Sequence, residues 1–167
     1  MTSHFFHSPI GTLRLTARAG RLLSIAFPGS EPAFDEQPSY GIQADEPVID
    51  IACRQLDEYF AGTRKKFDVP IAMQGTPFQL RVWSLLLRIP YGVTVSYNDL
   101  AKAVGSDSAS RAVGRANATN PLPIIVPCHR VIAADGSLAG FAGGVQAKRA
   151  LLEQEQAGAG IFAAAMA

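Results

Sequence analysis

The chain is organised around residues 120–130, which read Asn120-Pro121-Leu122-Pro123-Ile124-Ile125-Val126-Pro127-Cys128-His129-Arg130. The apolar run at 124–126 predicts a short buried strand, and the prolines on either side stiffen the backbone around it. A thiol, an imidazole and a guanidinium follow in succession. A thiolate is a strong nucleophile, and a nearby imidazole or cation lowers the pKa of a cysteine. The sequence therefore indicates a reactive thiol at Cys128, against the alternative of a small buried hydrophobe.

The composition predicts a globular protein of one or two small domains. The chain has 167 residues, of which 48% are hydrophobic, and a formal net charge of +1. Residues 1–75 contain seven basic and nine acidic residues, whereas residues 76–167 contain eight and five. A surface that attracts phosphates is therefore expected in the second half. Two cysteines 75 positions apart favour reduced thiols and a cytoplasmic protein. The sequence predicts neither a signal peptide nor a membrane span.

The first 74 residues are predicted to form a small α+β domain. Alternating apolar residues between turn signals predict strands within 4–28. Residues 28–47, which are rich in Pro, Gly, Ser and acidic residues, predict an exposed loop. Apolar residues recur at helical spacing over 48–60, and residues 67–74 suggest one further strand. This half carries no catalytic motif, so we expect it to be a scaffold.

Residues 75–167 are predicted to form a second, mostly helical domain. Thr76 and Gln79 form a capping box at the start of its first helix. Predicted helices over 97–104 and 108–119 are separated by a Gly-containing turn, which is the helix-turn-helix pattern. Arg111 and Arg115 lie among small residues in the second of these helices. They are either DNA contacts or part of a solvated face.

The end of the chain is predicted to form one more helix over 145–156, followed by a frayed Gly/Ala-rich tail. Glu155 would then lie in the last turn, where the helix dipole disfavours a carboxylate. Local inconsistencies of this kind are typical of functional sites.

Five ordered pieces of the second half resemble the O6-alkylguanine-DNA alkyltransferase family. Besides residues 127–130, the matching pieces are Gly75-Thr76-Pro77-Phe78-Gln79, Ser96-Tyr97, Arg111-Ala112-Val113-Gly114 and Gly140-Phe141-Ala142-Gly143-Gly144. The resemblance is dense over 75–155 and weaker over 1–70. It implies a ribonuclease-H-like sheet domain followed by a domain with a winged-helix-like helix-turn-helix. It also implies that the alkyl group of O6-alkylguanine in double-stranded DNA passes irreversibly to Cys128, with no cofactor.

The resemblance assigns roles to the residues around this thiol. His129 would accept the thiol proton through a water, and Glu155 would orient the imidazole. Tyr97 would give a proton to guanine N3, and Asn120 would tie the two halves of the site together. The protein would act as a monomer in solution. Activity on O4-alkylthymine is left open.

The same resemblance implies that the target base is flipped out of the duplex. Arg111 would occupy the vacated place in the stack, while Val131 and Ala142 would contact the flipped guanine. Further DNA contacts are assigned by position to Tyr97, Asn98, Ser106 and Asn117.

Three alternatives are weighed against this interpretation. The thiol–imidazole pair is compatible with a Cys–His hydrolase, although no oxyanion-hole motif is evident. A non-catalytic module that recognises alkylated bases is the second alternative, and the presence of Cys128 argues against it. A structural zinc would have only Cys53, His4 and His7 as donors, whereas such a site needs four. We therefore predict no metal.

Overall fold

The computed structural model describes residues 1–27, 29, 47–138 and 140–166, with the backbone alone from residue 159 onward. The loop predicted over 28–47 falls almost entirely outside the described residues. The chain divides into two compact units, Met1–Met73 and Gln74–Ala167. Among the helices described, none is both long and apolar enough to cross a membrane.

The first unit contains a three-stranded antiparallel sheet in the order β1 (Thr2–Ser8), β2 (Gly11–Arg18) and β3 (Arg21–Ala26). Ala19 and Gly20 both have positive φ, at 52° and 73°, as a tight two-residue hairpin between twisted strands requires. Alternate residues of β2 point inward, so that Leu13 and Leu15 are fully buried. The strands predicted within 4–28 are confirmed.

One helix, α1 (Pro47–Phe60), packs on this sheet. Its buried residues recur at the helical spacing that predicted it, and they are Val48, Ile49, Ala52, Gln55, Leu56 and Tyr59. The further strand predicted at 67–74 is wrong. Only an isolated bridge joins Leu22 to Ile71, because Pro70 has no N–H with which to extend a ladder.

The second unit begins with α2 (Pro77–Leu86), which is capped as predicted. The Thr76 hydroxyl accepts from the Gln79 backbone N–H, and the Gln79 side chain accepts from the Thr76 N–H. Trp83 on this helix is buried, and its indole N–H donates to the Ala116 carbonyl at 2.8 Å. Trp83 therefore belongs to the core, as expected, and joins α2 to the helix that carries Ala116.

The predicted helix-turn-helix is present as α3 (Tyr97–Val104) and α4 (Ser110–Ala118). A second capping box starts α3, in which Ser96 and Asp99 bond each other's backbone N–H. Gly105 ends it with a φ of 100°, a conformation that favours glycine. Strands β4 (Val95–Ser96) and β5 (Val131–Ile132) pair in parallel next to these helices.

Residues 124–126 are buried, as predicted, but they do not form a strand. Ile124 has a φ of 75°, and Pro123 bridges back to Val126 within a tight turn. A β-branched residue in this region of φ is strained, so the surrounding contacts must impose the conformation. A 3-10 turn, Cys128–Arg130, follows directly.

The last helix, α5, spans Gly144–Met166 and is longer than predicted. The expected end at Gln156 is wrong, because Ala-rich sequence continues a helix readily. Glu155 therefore lies in the interior of α5, and its position is explained by side-chain partners instead of by the helix end. The sequence of a small sheet domain and then a helical domain is confirmed.

Two glycines in the second unit allow a matched test of the packing around Trp83. A Cβ at Gly75 would lie 2.7 Å from the Trp83 ring, whereas a Cβ at Gly114 in α4 would meet nothing closer than 3.9 Å. We expect Gly75→Ala to lower the free energy of unfolding by about 1–3 kcal/mol through overpacking. Gly114→Ala should raise it by up to about 1 kcal/mol, because alanine favours the helix. Urea denaturation of both variants measures this, and equal effects would contradict the packing described.

Candidate active site

Two asparagines hold the reactive turn in place. The Asn120 side-chain N–H donates to the Val126 carbonyl at 2.8 Å, and its side-chain oxygen accepts from the Leu122 N–H at 2.9 Å. Asn117 donates to the carbonyl of Cys128 at 3.3 Å. These bonds tie the end of α4 and the loop after it to the backbone that carries the thiol.

Cys128 is buried, and its burial favours the neutral form of the thiol. Burial raises its pKa from 9.0 to about 11, although a hydrogen bond from Asn120 and the charge of Lys148 lower it. The sequence suggested a thiol already activated by its neighbours. In the structure, the loss of hydration on burial raises the pKa of the thiol more than the neighbouring groups lower it.

His129 is fully buried and forms a hydrogen bond with Glu155. The distance from His129 Nε2 to Glu155 Oε1 is 2.7 Å. A carboxylate can only accept, so the neutral imidazole carries its proton on Nε2. Its Nδ1 then has a lone pair, and this atom makes no hydrogen bond within the described part of the chain. Cys128 and His129 are consecutive residues of the 3-10 turn, and no hydrogen bond joins the two described side chains.

Arg130 shares the same carboxylate, which the sequence did not indicate. Its Nε and Nη2 donate to the two oxygens of Glu155 at 2.8 and 2.9 Å, and its Nη1 donates to the Ile89 carbonyl at 2.6 Å. We call Glu155, His129 and Arg130 the Glu155 cluster. Burial alone would raise the pKa of Glu155, but bonds from His129 and Arg130 outweigh it and lower this pKa to about 2.

Lys148 is a second residue that sequence reasoning missed. It is fully buried on α5, its Nζ donates to the Val131 carbonyl at 2.6 Å, and it lies 6.0 Å from the centroid of the Tyr97 ring. Burial lowers the pKa of Lys148, and a charge on Cys128 would raise it. The only sequence signal was a lysine that shares a predicted helix face with Leu151 and lies seven residues before Glu155.

Tyr97 lies at the N-terminus of α3 and contributes to the wall beside the thiol. Burial raises the pKa of Tyr97, as would a charge on Cys128, while a hydrogen bond with Asn117 lowers it. The tyrosine hydroxyl is 3.5 Å from the point where a Cβ on Gly140 would stand. Val131 is buried close to these groups, whereas Ala142 is exposed.

The residues assigned to DNA contacts fall into two groups. Arg111 is exposed on α4, and Asn98 and Ser106 are exposed on and after α3. Asn98 accepts from the Ser110 hydroxyl at 2.7 Å, which links the two helices. Asn117 is only 2% exposed and points toward Cys128. In this conformation Asn117 supports the site from within and does not reach a DNA surface.

The described residues contain no cluster of side chains suited to a metal ion. No three side chains of the His, Cys, Asp or Glu type converge among them. The two cysteines are free thiols, and burial together with Asp50 and Asp57 raises the pKa of Cys53 to about 11.

Two family models match consecutive parts of the chain. Residues 1–73 match the 6-O-methylguanine DNA methyltransferase ribonuclease-like domain, and residues 77–157 match the DNA-binding domain of the same family. The fold and the site together thus define a two-domain protein with a buried cysteine next to a helix-turn-helix.

Similar proteins point to the same family. A methylated-DNA–protein-cysteine methyltransferase of Mycobacterium tuberculosis is 46% identical over 149 residues, which cover 89% of this chain and 88% of that protein. One from Methanosarcina acetivorans is 45% identical over 90% of this chain and 95% of its own. The crystal structure of Mycobacterium tuberculosis OGT in complex with DNA is 43% identical, with a TM-score of 0.85 over 95% of this chain and 94% of that chain. The chain therefore belongs to the 6-O-methylguanine DNA methyltransferase family.

The role of Lys148 is open to a direct test. In a Cys53→Ser background, Lys148→Met should raise the pKa of Cys128 further, because a buried positive charge near the thiolate is lost. We expect alkylation of Cys128 by iodoacetamide at pH 8 to slow about tenfold for each unit by which the pKa rises. Lys102→Met, at an exposed position on α3, is the control. Equal rates in the two variants would show that Lys148 does not act on the thiol.

Proposed function

We propose that this protein repairs DNA by transferring the alkyl group of O6-alkylguanine to its own Cys128. The observation that carries the proposal is that Cys128, His129 and Glu155 are all buried in one site, where His129 Nε2 bonds to Glu155 and Nδ1 makes no hydrogen bond to a described residue. This has the nucleophile, base and orienting acid that covalent catalysis requires. Family membership and the DNA complex of a 43% identical relative support it.

The reaction starts from a neutral thiol and a neutral imidazole. The thiol proton passes to His129 Nδ1 through a water, and the sulfur attacks the alkyl carbon as its bond to guanine O6 breaks. The released electron pair moves onto guanine, which Tyr97 stabilises by protonation at N3. His129 gives up the thiol proton to solvent and Tyr97 regains one from solvent, so that in the net reaction the thiol loses one proton, guanine gains one, and a stable thioether remains. The cysteine is not regenerated, so each chain reacts once and needs no cofactor.

Proton transfer at the moment of reaction fits the environment of the thiol. Because burial raises the pKa of Cys128 to about 11, little thiolate exists at neutral pH. A free thiolate would also react with other electrophiles and oxidants. The buried charge of Lys148 and the Asn120 amide stabilise the negative sulfur as it forms.

Double-stranded DNA that contains an alkylated base is the proposed partner. A thiol that is 4% exposed cannot reach a base within a duplex, so the base must be flipped into the site. Arg111, exposed on α4, is placed to fill the gap, while Asn98 and Ser106 are proposed phosphate contacts. Val131 and Ala142 are proposed to contact the flipped guanine. The reactive groups all lie within residues 97–155, so we propose a monomer, and its free thiols fit the cytoplasm.

Stoichiometry tests the proposal directly. Incubation with duplex DNA that contains O6-methylguanine should add one methyl group per chain, located on Cys128 by intact mass and peptide mapping. Cys128→Ser should gain none, because a hydroxyl without a strong base is a far poorer nucleophile. Cys53→Ser is the matched control and should retain full transfer. Repeated turnover, or a methyl group on Cys53, would overturn the proposal.

The base-flipping role of Arg111 makes a different prediction. Unstacking a base costs a few kcal/mol, so Arg111→Ala should slow methyl transfer from duplex DNA by about ten- to a hundredfold. A single-stranded oligonucleotide needs no flipping and should be affected much less. Second-order rates on both substrates at two salt concentrations measure this, with Arg88→Ala at another exposed position as the control. Equal slowing on both substrates would reduce Arg111 to a phosphate contact.

A further inference from the structure

The side chains of His129 and Arg130 both bond to the negatively charged carboxylate of Glu155. His129 donates one hydrogen bond to Oε1, and Arg130 donates one to each oxygen. The side chains of Glu155 and His129 are 1% and 0% exposed, and that of Arg130 is 7% exposed. Water therefore screens none of these charges effectively.

The geometry shows that Arg130 supplies the positive charge that neutralises the Glu155 carboxylate. A guanidinium stays charged in proteins, and a two-bond pair with a carboxylate has a fixed orientation. Arg130 is held further by the Ile89 carbonyl and by the Tyr91 ring, whose centroid lies 5.8 Å from the guanidinium carbon. Glu155 and Arg130 thus form a neutral pair, and His129 can bond to this pair without becoming charged.

We propose that Arg130 is a positioning residue that keeps His129 neutral by neutralising Glu155, so that Nδ1 remains able to accept the thiol proton. This rests on the function proposed above and extends it to a residue that touches neither the substrate nor the thiol. Without Arg130, His129 would become the main counter-charge of a buried carboxylate. It would then take a proton from solvent, and its Nδ1 would become a donor.

Apart from Glu155, the other charged group that acts on His129 acts in the same direction as Arg130. The charged groups that act on His129 are Glu155 and Lys148 on α5 and Arg130 on the 3-10 turn. Tyr97 on α3 interacts with Cys128, and Tyr91 on the loop before β4 interacts with Glu155 and Arg130. Burial is the largest cause that lowers the pKa of His129, and Arg130 and Lys148 lower it further. Only Glu155 raises it. Removal of Arg130 therefore takes away one of the causes that lower the pKa of His129, while the Glu155 carboxylate, now without its guanidinium partner, continues to raise it.

The pH dependence of methyl transfer tests the proposal. The substrate is a single-stranded oligonucleotide that contains one O6-methylguanine, so that base flipping plays no part. The rate should rise with pH as His129 loses its proton. In Arg130→Met this acid limb should move to higher pH by about one pH unit or more, as expected for a nearby opposite charge left unopposed. Arg130→Lys keeps the positive charge, so its acid limb should remain close to that of the unchanged protein.

A double variant keeps the proposal testable if Arg130→Met does not fold. Arg130→Met leaves a buried charge without its partner, which can destabilise the fold. Arg130→Met combined with Glu155→Gln removes both charges, and its acid limb should lie at or below that of the unchanged protein. Arg149→Met, at an exposed position on α5, is the matched control and should change nothing.

The outcomes are distinct. Slower transfer by Arg130→Met at every pH, with the acid limb unmoved, would overturn the proposal and leave Arg130 a structural residue. An equal shift in the Lys and Met variants, or one that persists in the double variant, would also overturn it. The His129 imidazole can be titrated independently by NMR in the same variants. If the unchanged protein transferred no methyl group, the proposed function would fail, while this titration would still decide what Arg130 does.

Discussion

The buried Glu155 carboxylate is the group on which the site depends. It fixes the tautomer of His129, holds the guanidinium of Arg130 and accepts at 3.4 Å from the backbone N–H of Gly92. A buried carboxylate is costly unless its acceptor positions are filled, and here each oxygen has two donors. The residues that meet at this carboxylate come from the 3-10 turn, from α5 and from the loop before β4, so one charge organises three separated parts of the second unit.

Helix α5 brings two opposite charges to the reactive turn. Lys148 and Glu155 are seven residues apart, which is about two helical turns, and they therefore lie on the same face. Leu151, between them on this face, is buried. Glu155 acts on the imidazole through a hydrogen bond, while Lys148 acts on the sulfur through its charge. A single packed helix thus sets the electrostatics of both reacting groups.

The backbone before the thiol is held in a conformation that it would not adopt alone. Ile124 has a positive φ, and the bonds of Asn120 to Leu122 and Val126 close the loop around it. Burial of the apolar residues at 122–126 offsets the strain. This rigid loop places Cys128 at the start of a 3-10 turn, from which the imidazole of His129 and the guanidinium of Arg130 both reach Glu155.

Local sequence signals determined most of the fold. The hairpin strands, α1, both capping boxes and the helix-turn-helix follow from alternation, helical spacing and capping residues, all of which act between near neighbours. The strands predicted at 67–74 and 124–126 do not form, because prolines and a positive φ override the apolar composition. The end of α5 was misplaced because Ala-rich sequence permits more than one end.

The chemistry of the site divides in the same way. The sequence by itself indicated the nucleophile, and the resemblance implied its partner histidine and the acid, because those residues belong to recognisable motifs. Only the tertiary structure showed that burial raises the pKa of the thiol, that Arg130 shares Glu155, that Lys148 is buried and that Asn117 faces inward. The physical reason is that burial and charge pairing depend on residues distant in sequence. The identity of a lysine or an arginine does not by itself reveal whether its side chain is exposed or buried.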